Sequence, residues 1–321
     1  MNELKSKTNI IISVIIPSFN GKHHLKDCLP SVISACRQSP VATEIIVVDD
    51  KSSDDTVLFL KENFEKEIKV FENPQKGACS ARNHGVAQSK GNILLFVDND
   101  VFLYDDFFKN ALPYLSSDMF CAACAGYKAF PKVEGAKEQL DGIKTLQWKR
   151  GFLRFTGNIY NKDLKSYNDY LSYGVQGAYF FCSREKFDKL GGFDTLFDPY
   201  LLEETDLIYR GLKRGWPITY IKDVCPRHKC GGTIKSKTNK YAKYLSKRNR
   251  ELFIWKNVTD KKLLFSHILW IFKSISAIPY VLKNYVEIRN KKREQMQFIK
   301  KTDIQILKEC KDYIQRIKKE L

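Results

Sequence analysis

The first hundred residues alternate between short, almost uninterrupted apolar blocks and longer amphipathic stretches. Residues 10–17, 44–48, 68–72 and 93–97 are the blocks, too short for helices and rich in Ile and Val, which predicts buried strands. Between them, Leu25, Leu29, Val32 and Ile33 give residues 24–35 helical spacing, which Pro30 is expected to interrupt. Residues 57–64 form a second helical stretch behind a cap at Ser53-Asp54-Asp55-Thr56, and residues 80–88 a third, entered through Gly77. Strands separated by helices of this length predict an α/β fold with a doubly wound, mostly parallel sheet flanked by helices.

The pattern loosens over residues 113–176, where 120–127 is strand-like, and then resumes. Residues 175–181 read as a strand, 184–190 as a helix stopped by Gly191-Gly192, 202–211 as a helix closed by Gly211, and 217–221 as a strand. After Gly231-Gly232 the chain turns Lys-rich and helical, so a boundary is expected there: a body over 1–232, divisible into 10–112 and 113–232, and a basic helical tail over 233–321.

Charge sharpens that division. The 321 residues carry a net charge of +17, and residues 231–321 alone hold 23 Lys and Arg against 8 Asp and Glu. The body is close to neutral, so the tail is the region built to meet an anionic partner. Its most apolar stretch, 263–282, contains His267, Lys273 and Pro279, which argues against a spanning helix. At helical spacing Ser266 stacks with Lys273 and His267 with Ser274, leaving a wide apolar arc that includes Trp270, with lysines at both ends. Such an arc suits a helix lying in a membrane interface, and it equally suits packing on the body or on a second subunit. Tyr241, Tyr244 and Trp255 interleave with basic residues as in a nucleic-acid binder, but no motif of that class is present, and the acidic clusters would go unexplained. The apolar run before Pro17 is too short to span a bilayer and lacks a small-residue cleavage site, so it reads as a strand and not a signal peptide. The nine cysteines show no disulfide framework, which favours a reducing, cytoplasmic setting.

Three acidic clusters carry the candidate chemistry. Asp49-Asp50 and Asp98-Asn99-Asp100 each close an apolar block, at the strand ends where open α/β sheets bind ligands. Side chains two apart on an extended chain share a direction, so Asp98 and Asp100 can hold one Mg²⁺ or Mn²⁺, with phosphate oxygens and water completing the shell. The ordinary alternative for Asp49-Asp50 is shaping the turn before Ser52-Ser53. Glu203-Glu204-Thr205-Asp206 opens a helix, where acidic residues favour the dipole and Asp206 can pair with Arg210; one of these carboxylates can instead face a cleft as a general base. His228 is placed as a loop histidine near the acidic site. A zinc reading through Cys225, His228 and Cys230 with Cys121 and Cys124 lacks a tidy spacing. Gly77 to Asn83 matches neither a P-loop nor a dinucleotide fingerprint, and leaves Arg82 to pair with a carboxylate or phosphate.

In order and spacing, these motifs resemble the inverting family 2 glycosyltransferases of GT-A fold, of the rhamnosyltransferase-like, surface-polysaccharide type. The resemblance covers roughly residues 11–235. It runs through Val14-Ile15-Ile16-Pro17-Ser18-Phe19-Asn20, the VVDDKSSDDT closing at Thr56, Gly77 to Asn83 and Asp98 to Asp100. It continues through Gly191-Gly192-Phe193-Asp194, EETDLIYRGLKRGW and His228-x-x-Gly231-x-Thr233. It implies a UDP- or dTDP-sugar donor and a saccharide acceptor, with 10–112 as the nucleotide part and 113–232 as the acceptor side. Asp50 would contact the pyrimidine nucleoside, Asp98 the ribose side, Asp100 the metal with Asp98, and His228 the metal or diphosphate. Pro17 and Asn20 would line the nucleotide site, with Arg82 near it. Glu204 stands where the family usually carries Asp as catalytic base, and Glu203 and Asp206 compete for that role. A sugar nucleotidyltransferase on a related fold is the alternative enzyme. An interfacial tail favours a lipid-linked acceptor on the inner face of the cell membrane.

Overall fold

The four apolar blocks become parallel strands. In this computed structural model, which describes residues 10–129, 139–159, 170–229 and 239–320, they are β1 (Ile11–Ser18), β2 (Ala42–Asp49), β3 (Lys69–Glu72) and β4 (Ile93–Val97). They lie in the order β3-β2-β1-β4, with Ser18 level with Asp49. The crossovers are α1 (Lys22–Arg37), α2 (Thr56–Phe64) and α3 (Ala78–Ala87). Leu25, Leu29 and Val32 of α1 pack with Val14, Ile16 and Val47 on one face; Cys79, Ala81 and Val86 of α3 pack with Ile15, Ile46 and Val48 on the other. Each Leu, Ile or Val among them contributes about 1.5–3 kcal/mol on burial. Pro30 does not interrupt α1, contrary to the sequence expectation: it is exposed, and the buried face on either side holds the helix through it.

The sheet continues from β4 through β12 (Tyr179–Ser183), β6 (Cys121–Cys124), β13 (Ile218–Ile221) and β11 (Tyr170–Ser172), giving eight strands, mainly parallel and flanked by helices. Here β12 runs antiparallel to both β4 and β6. The strand expected over 120–127 is two strands: β6 stays in the main sheet, while β7 (Gly126–Ala129) joins β5 (Val101–Phe102), β14 (Arg227–Lys229) and β8 (Gln139–Asp141) in the order β5-β14-β7-β8. The strand expected over 175–181 begins only at Tyr179. Between them, β9 (Ile143–Lys149) and β10 (Phe152–Ile159) form a hairpin turning at Arg150-Gly151. Helix α4 (Phe107–Ala111) follows β5, and α5 (Arg184–Leu190) and α6 (Glu203–Lys213) follow β12.

The basic segment is helical, as expected, and its first helix enters the core. In α7 (Asn239–Asn257), Leu252, Phe253 and Ile254 are buried in the cluster that holds Phe96, Phe180 and Leu207. Its charges follow. Lys256 lies 2.7 Å from both Asp194 and Asp206, and Lys291 lies 2.6 Å from Asp194, so the tail supplies counterions to carboxylates buried in the body. Beyond α7 come α8 (Lys261–Ile268), a 3₁₀ stretch (Ile271–Ala277), α9 (Ile278–Lys283), α10 (Tyr285–Met296) and α11 (Asp303–Glu320). The single helix expected over 263–282 is therefore broken, with a 78° bend between Ile268 and Ile271. Among the described residues no single helix is long and apolar enough to cross a membrane; the bent pair passes that test only as a broken span.

Candidate active site

The ends of β1, β2 and β4 share one edge of the parallel sheet, and polar side chains tie the turns together there. Asn99 Nδ2 donates to Ser18 Oγ at 3.0 Å, joining the turn after β4 to the end of β1. Asn20 adopts φ 49°; its amide donates to Ser52 Oγ at 2.8 Å and its Oδ1 accepts from the Ser53 amide at 2.7 Å. Asp49 accepts the Ser52 amide at 2.9 Å, the turn-shaping role open to it from sequence. Asp50 does something else. Its Oδ1 accepts from Asn73 Nδ2 at 2.6 Å and from the Gly77 amide at 2.7 Å, and no described residue donates to Oδ2.

Gly77 has φ 143°, and a Cβ there would lie 2.1 Å from Asp198 Cγ, so both the backbone and the close approach require glycine. The Asp198 carboxylate in turn accepts the Cys79 amide at 2.8 Å and Ser80 Oγ at 3.0 Å, satisfying donors in the first turn of α3.

Asp98, Asp100 and His228 each offer a ligand atom, and these atoms lie within 4.8 Å of one another. The small sheet explains the encounter. β5 starts one residue after Asp100, β14 pairs antiparallel with it so that His228 stands opposite Val101, and the Lys229 amide donates to the Asp100 carbonyl at 2.9 Å. His228 Nε2 then sits 3.1 Å from Asp100 Oδ1. Two carboxylates and an imidazole form a donor set that fits Mn²⁺ or Mg²⁺. Behind them, Arg82 is buried and bridges Asp98 and Glu203, each at 2.8 Å. Burial opposes its charge, but the two carboxylates outweigh that and hold it ionised.

The three carboxylates in the first turn of α6 have different fates. Glu203 is buried against Arg82. Asp206 is fully buried and accepts from Arg210 and Lys256 at 2.8 and 2.7 Å and from Asn257 at 2.8 Å. Glu204 forms no salt bridge among the described residues; it is partly exposed, accepts Thr205 Oγ1 at 3.1 Å and faces the backbone of Gly177. Burial first, then the neighbouring Glu203, push its carboxyl up to about 7. The turn presenting it contains Leu201 and Leu202 at φ 82° and 69°, a costly conformation for Leu. Asn249 of α7 offsets this by donating to the carbonyls of Phe197, Tyr200 and Leu201 at 3.2, 3.0 and 2.6 Å.

The structure thus brings Pro17, Asn20, Asp50, Asp98, Asp100, Arg82 and His228 to the strand-end region, with Glu204 one residue from Arg82's partner Glu203. Cys121 and Cys124 are buried β6 side chains whose thiols burial pushes well up, and Asp98, Asp100 and His228 are the one metal-competent cluster among the described residues, so zinc gains no support. Cys230, Gly231 and Thr233 lie outside the described residues, as do 130–138 and 160–169 of the expected acceptor region. Sequence reasoning missed Asn73, Asp198 and Asn249, single polar residues in undistinguished contexts. It also missed His24, a buried histidine whose Nδ1 has no partner and whose pKa is lowered by burial and then by His23. The His23-His24 doublet just after Gly21 was the available signal.

The Glycosyl transferase family 2 profile matches residues 13–191. Glycosyltransferase GlyA of Streptococcus pneumoniae is 31% identical over 126 residues, 39% of this chain and 18% of that protein. The Escherichia coli UDP-Glc:alpha-D-GlcNAc-diphosphoundecaprenol beta-1,3-glucosyltransferase WfgD is 34% identical over 91 residues, 28% of this chain and 35% of that protein. The chain therefore spans well under two thirds of these relatives. Among solved structures, S. aureus TarS 1-349 in complex with UDP-GlcNAc superposes with TM-score 0.53 at 16% identity, covering 82% of this chain and 73% of that one. GalNAc-T7 with UDP, GalNAc and Mn²⁺ gives 0.55 at 18%, covering 86% and 58%. These likenesses carry the GT-A architecture. With the matched segment running from β1 through α5, more than half of its length, the chain belongs to Glycosyl transferase family 2.

Proposed function

We propose that this protein transfers a sugar from a UDP- or dTDP-linked donor to a hydroxyl of a saccharide acceptor, in one inverting, metal-dependent step. The observation that carries this reading is Glu204: alone among the three first-turn carboxylates it makes no salt bridge among the described residues, and burial and Glu203 push its carboxyl up to about 7. It would accept the acceptor hydroxyl's proton as that oxygen attacks the anomeric carbon opposite the leaving diphosphate. Asp98, Asp100 and His228 would hold the divalent cation, which when bound neutralises the diphosphate and stabilises the charge on the departing nucleotide. Asp50 would meet the pyrimidine through Oδ2, its other oxygen being fixed by Asn73 and Gly77. Pro17 and Asn20 would shape the nucleotide wall, and Arg82 would hold Asp98 and Glu203 in place. The relatives' names support a nucleotide-sugar donor: TarS is seen with UDP-GlcNAc, GalNAc-T7 with UDP and Mn²⁺, and WfgD is named for a UDP-Glc donor.

The acceptor is proposed to be lipid-linked, in surface polysaccharide assembly at the inner membrane face. Phe265, Ile268, Leu269, Phe272 and Ile275 are 51–70% exposed along the broken helix, with Lys261, Lys262, Lys273 and Lys283 around them. An apolar ridge ringed by lysines is complementary to an anionic bilayer, where each basic residue adds about 1 kcal/mol. WfgD is itself named for a diphosphoundecaprenol-linked substrate.

A nucleotide-sugar panel screened by thermal shift with Mn²⁺ tests the donor, since a matching donor raises the melting temperature by mass action. Product analysis follows. Release of UDP or dTDP is expected; release of pyrophosphate would mean nucleotidyl transfer and overturn the reading.

A further inference from the structure

Outside the metal site, one cavity combines charge with apolar walls in an unusual way. It encloses about 190 Å³ between the β9–β10 hairpin, the start of α6 and the middle of α7. Its apolar lining includes Phe152, Phe155 and Phe253. Two guanidiniums, Arg154 and Arg250, also line it, and among the described residues neither has an acidic partner. Arg154 Nε is buried with no acceptor among the described residues. Several buried cations of this protein are met by carboxylates: Arg82 by Asp98 and Glu203, Arg210 by Asp206, Lys213 by Asp303. Arg154 is half-buried and Arg250 exposed at its outer side; partial burial first, then the neighbouring Arg154, lower the pKa of Arg250, a like-charge pairing that an anion in the recess would relieve.

The cavity's position says which anion. Thr205, which donates to Glu204, lines one end. At the other end, Phe152 packs edge-on against His267 at 5.0 Å, and the carbonyl of Gly151 meets His267 Nδ1 at 2.8 Å. His267 lies on α8, between the outward-facing Phe265 and Ile268. Strand β10 therefore runs from the apolar, lysine-ringed ridge to the neighbourhood of the proposed base.

We propose that Arg154 and Arg250 bind the diphosphate of a lipid-linked acceptor, with the lipid leaving along Phe152 towards the apolar ridge and the sugar hydroxyl presented at Glu204. Arginine pairs recognise phosphate oxygens bidentately, which fits two guanidiniums on one recess. This rests on the transferase reading for its orientation, and the test separates the two.

The probe is farnesyl diphosphate in mild detergent, titrated onto the full chain in EDTA so that no cation can bridge it to Asp98 and Asp100. Inorganic pyrophosphate and farnesol are run in parallel. Wild type is expected to bind farnesyl diphosphate at least about tenfold more tightly than either fragment, because anion and chain are held together. Arg154→Gln and Arg250→Gln are each expected to weaken it by about tenfold or more. UDP binding with Mn²⁺ should be unchanged in both variants, which also reports that they fold, whereas Asp100→Asn should lose UDP and keep farnesyl diphosphate. Equal binding of farnesyl diphosphate by wild type and both arginine variants overturns the proposal. So does pyrophosphate binding as tightly as farnesyl diphosphate, which would make the recess a free-anion site. If UDP fails to bind wild type while the arginine dependence holds, it is the donor reading that falls.

Discussion

Replacing Glu204 with Gln tests the base assignment through two independent quantities. The carboxyl has an ordinary value of 4.5 and is pushed up to about 7 in the folded protein, by burial first and Glu203 second. The unfolded chain thus loses this proton near 4.5 and the folded protein keeps it until about 7. Between those values the unfolded state binds fewer protons, so stability falls as pH rises and stays lower above pH 7. The full displacement corresponds to about 3 kcal/mol. Glu204 is partly exposed, and solvent screening reduces this to about 1–2 kcal/mol. Glutamine removes the charge and keeps the shape. At pH 8 without ligand, Glu204→Gln should melt about 2–4 °C higher than wild type, and at pH 5 the two should coincide. Turnover should fall about 10²–10⁴-fold at pH 8, with donor binding retained. The wild-type kcat/KM profile should show an acidic limb near pH 7 that the variant lacks. A variant that transfers at near-normal rate, or a melting difference that ignores pH, refutes the reasoning and removes Glu204 from the role.

Three further outcomes follow from the surrounding groups. Asp100→Asn and His228→Ala should each raise the Mn²⁺ concentration needed for UDP-dependent thermal stabilisation by at least about tenfold, read by metal titration at fixed UDP. Lys256→Met removes the cation shared by Asp194 and Asp206 and leaves buried carboxylates under-compensated, so urea unfolding should show a loss of about 3–5 kcal/mol. Asn249→Ala strips donors from the carbonyls of Phe197, Tyr200 and Leu201; it should lower kcat with little change in KM for the donor, because the strained turn before Glu204 relaxes while the nucleotide edge is untouched.

The strand-end half of the site was legible because it is local. Uninterrupted Ile-Val blocks announce β1, β2 and β4, and a carboxylate at the end of such a block has few places to go. The choice among Glu203, Glu204 and Asp206 was not legible. All three occupy one helical turn, and they are sorted by partners far away in sequence: Arg82 lies 121 residues before Glu203, and Lys256 50 residues after Asp206. The split between β6 and β7 was hidden for another reason. Cys121-Ala122-Ala123-Cys124 is small and apolar throughout, so no periodicity marks where the strand ends and the chain crosses to the second sheet. Likewise the surplus of lysine in the tail read as a message to an outside partner, when part of it neutralises carboxylates buried in the body.

The broken helix over 263–282 shows how a correct pattern can meet an unexpected surface. His267 and Ser274 do share a side, brought together across the bend and not by the spacing of one helix, and that side faces inward. Both reach Glu251 of α7, His267 at 3.0 Å, and Trp255 donates to the same carboxylate at 3.1 Å; His267, Ser274 and Glu251 are all buried. A water-facing helix would be turned the other way, since each large apolar side chain left in water forgoes about 1.5–3 kcal/mol of burial. Three partners around one carboxylate hold the opposite orientation, because leaving Glu251 unpaired in the apolar core would cost more than turning the ridge outward. An orientation that is unfavourable in water becomes favourable where Phe265, Leu269 and Phe272 meet hydrocarbon and the lysines meet headgroups. Glu251→Gln should then loosen the ridge and weaken binding to anionic vesicles while sparing UDP binding, and equal vesicle flotation of variant and wild type would show that the inward network does not set the ridge's orientation.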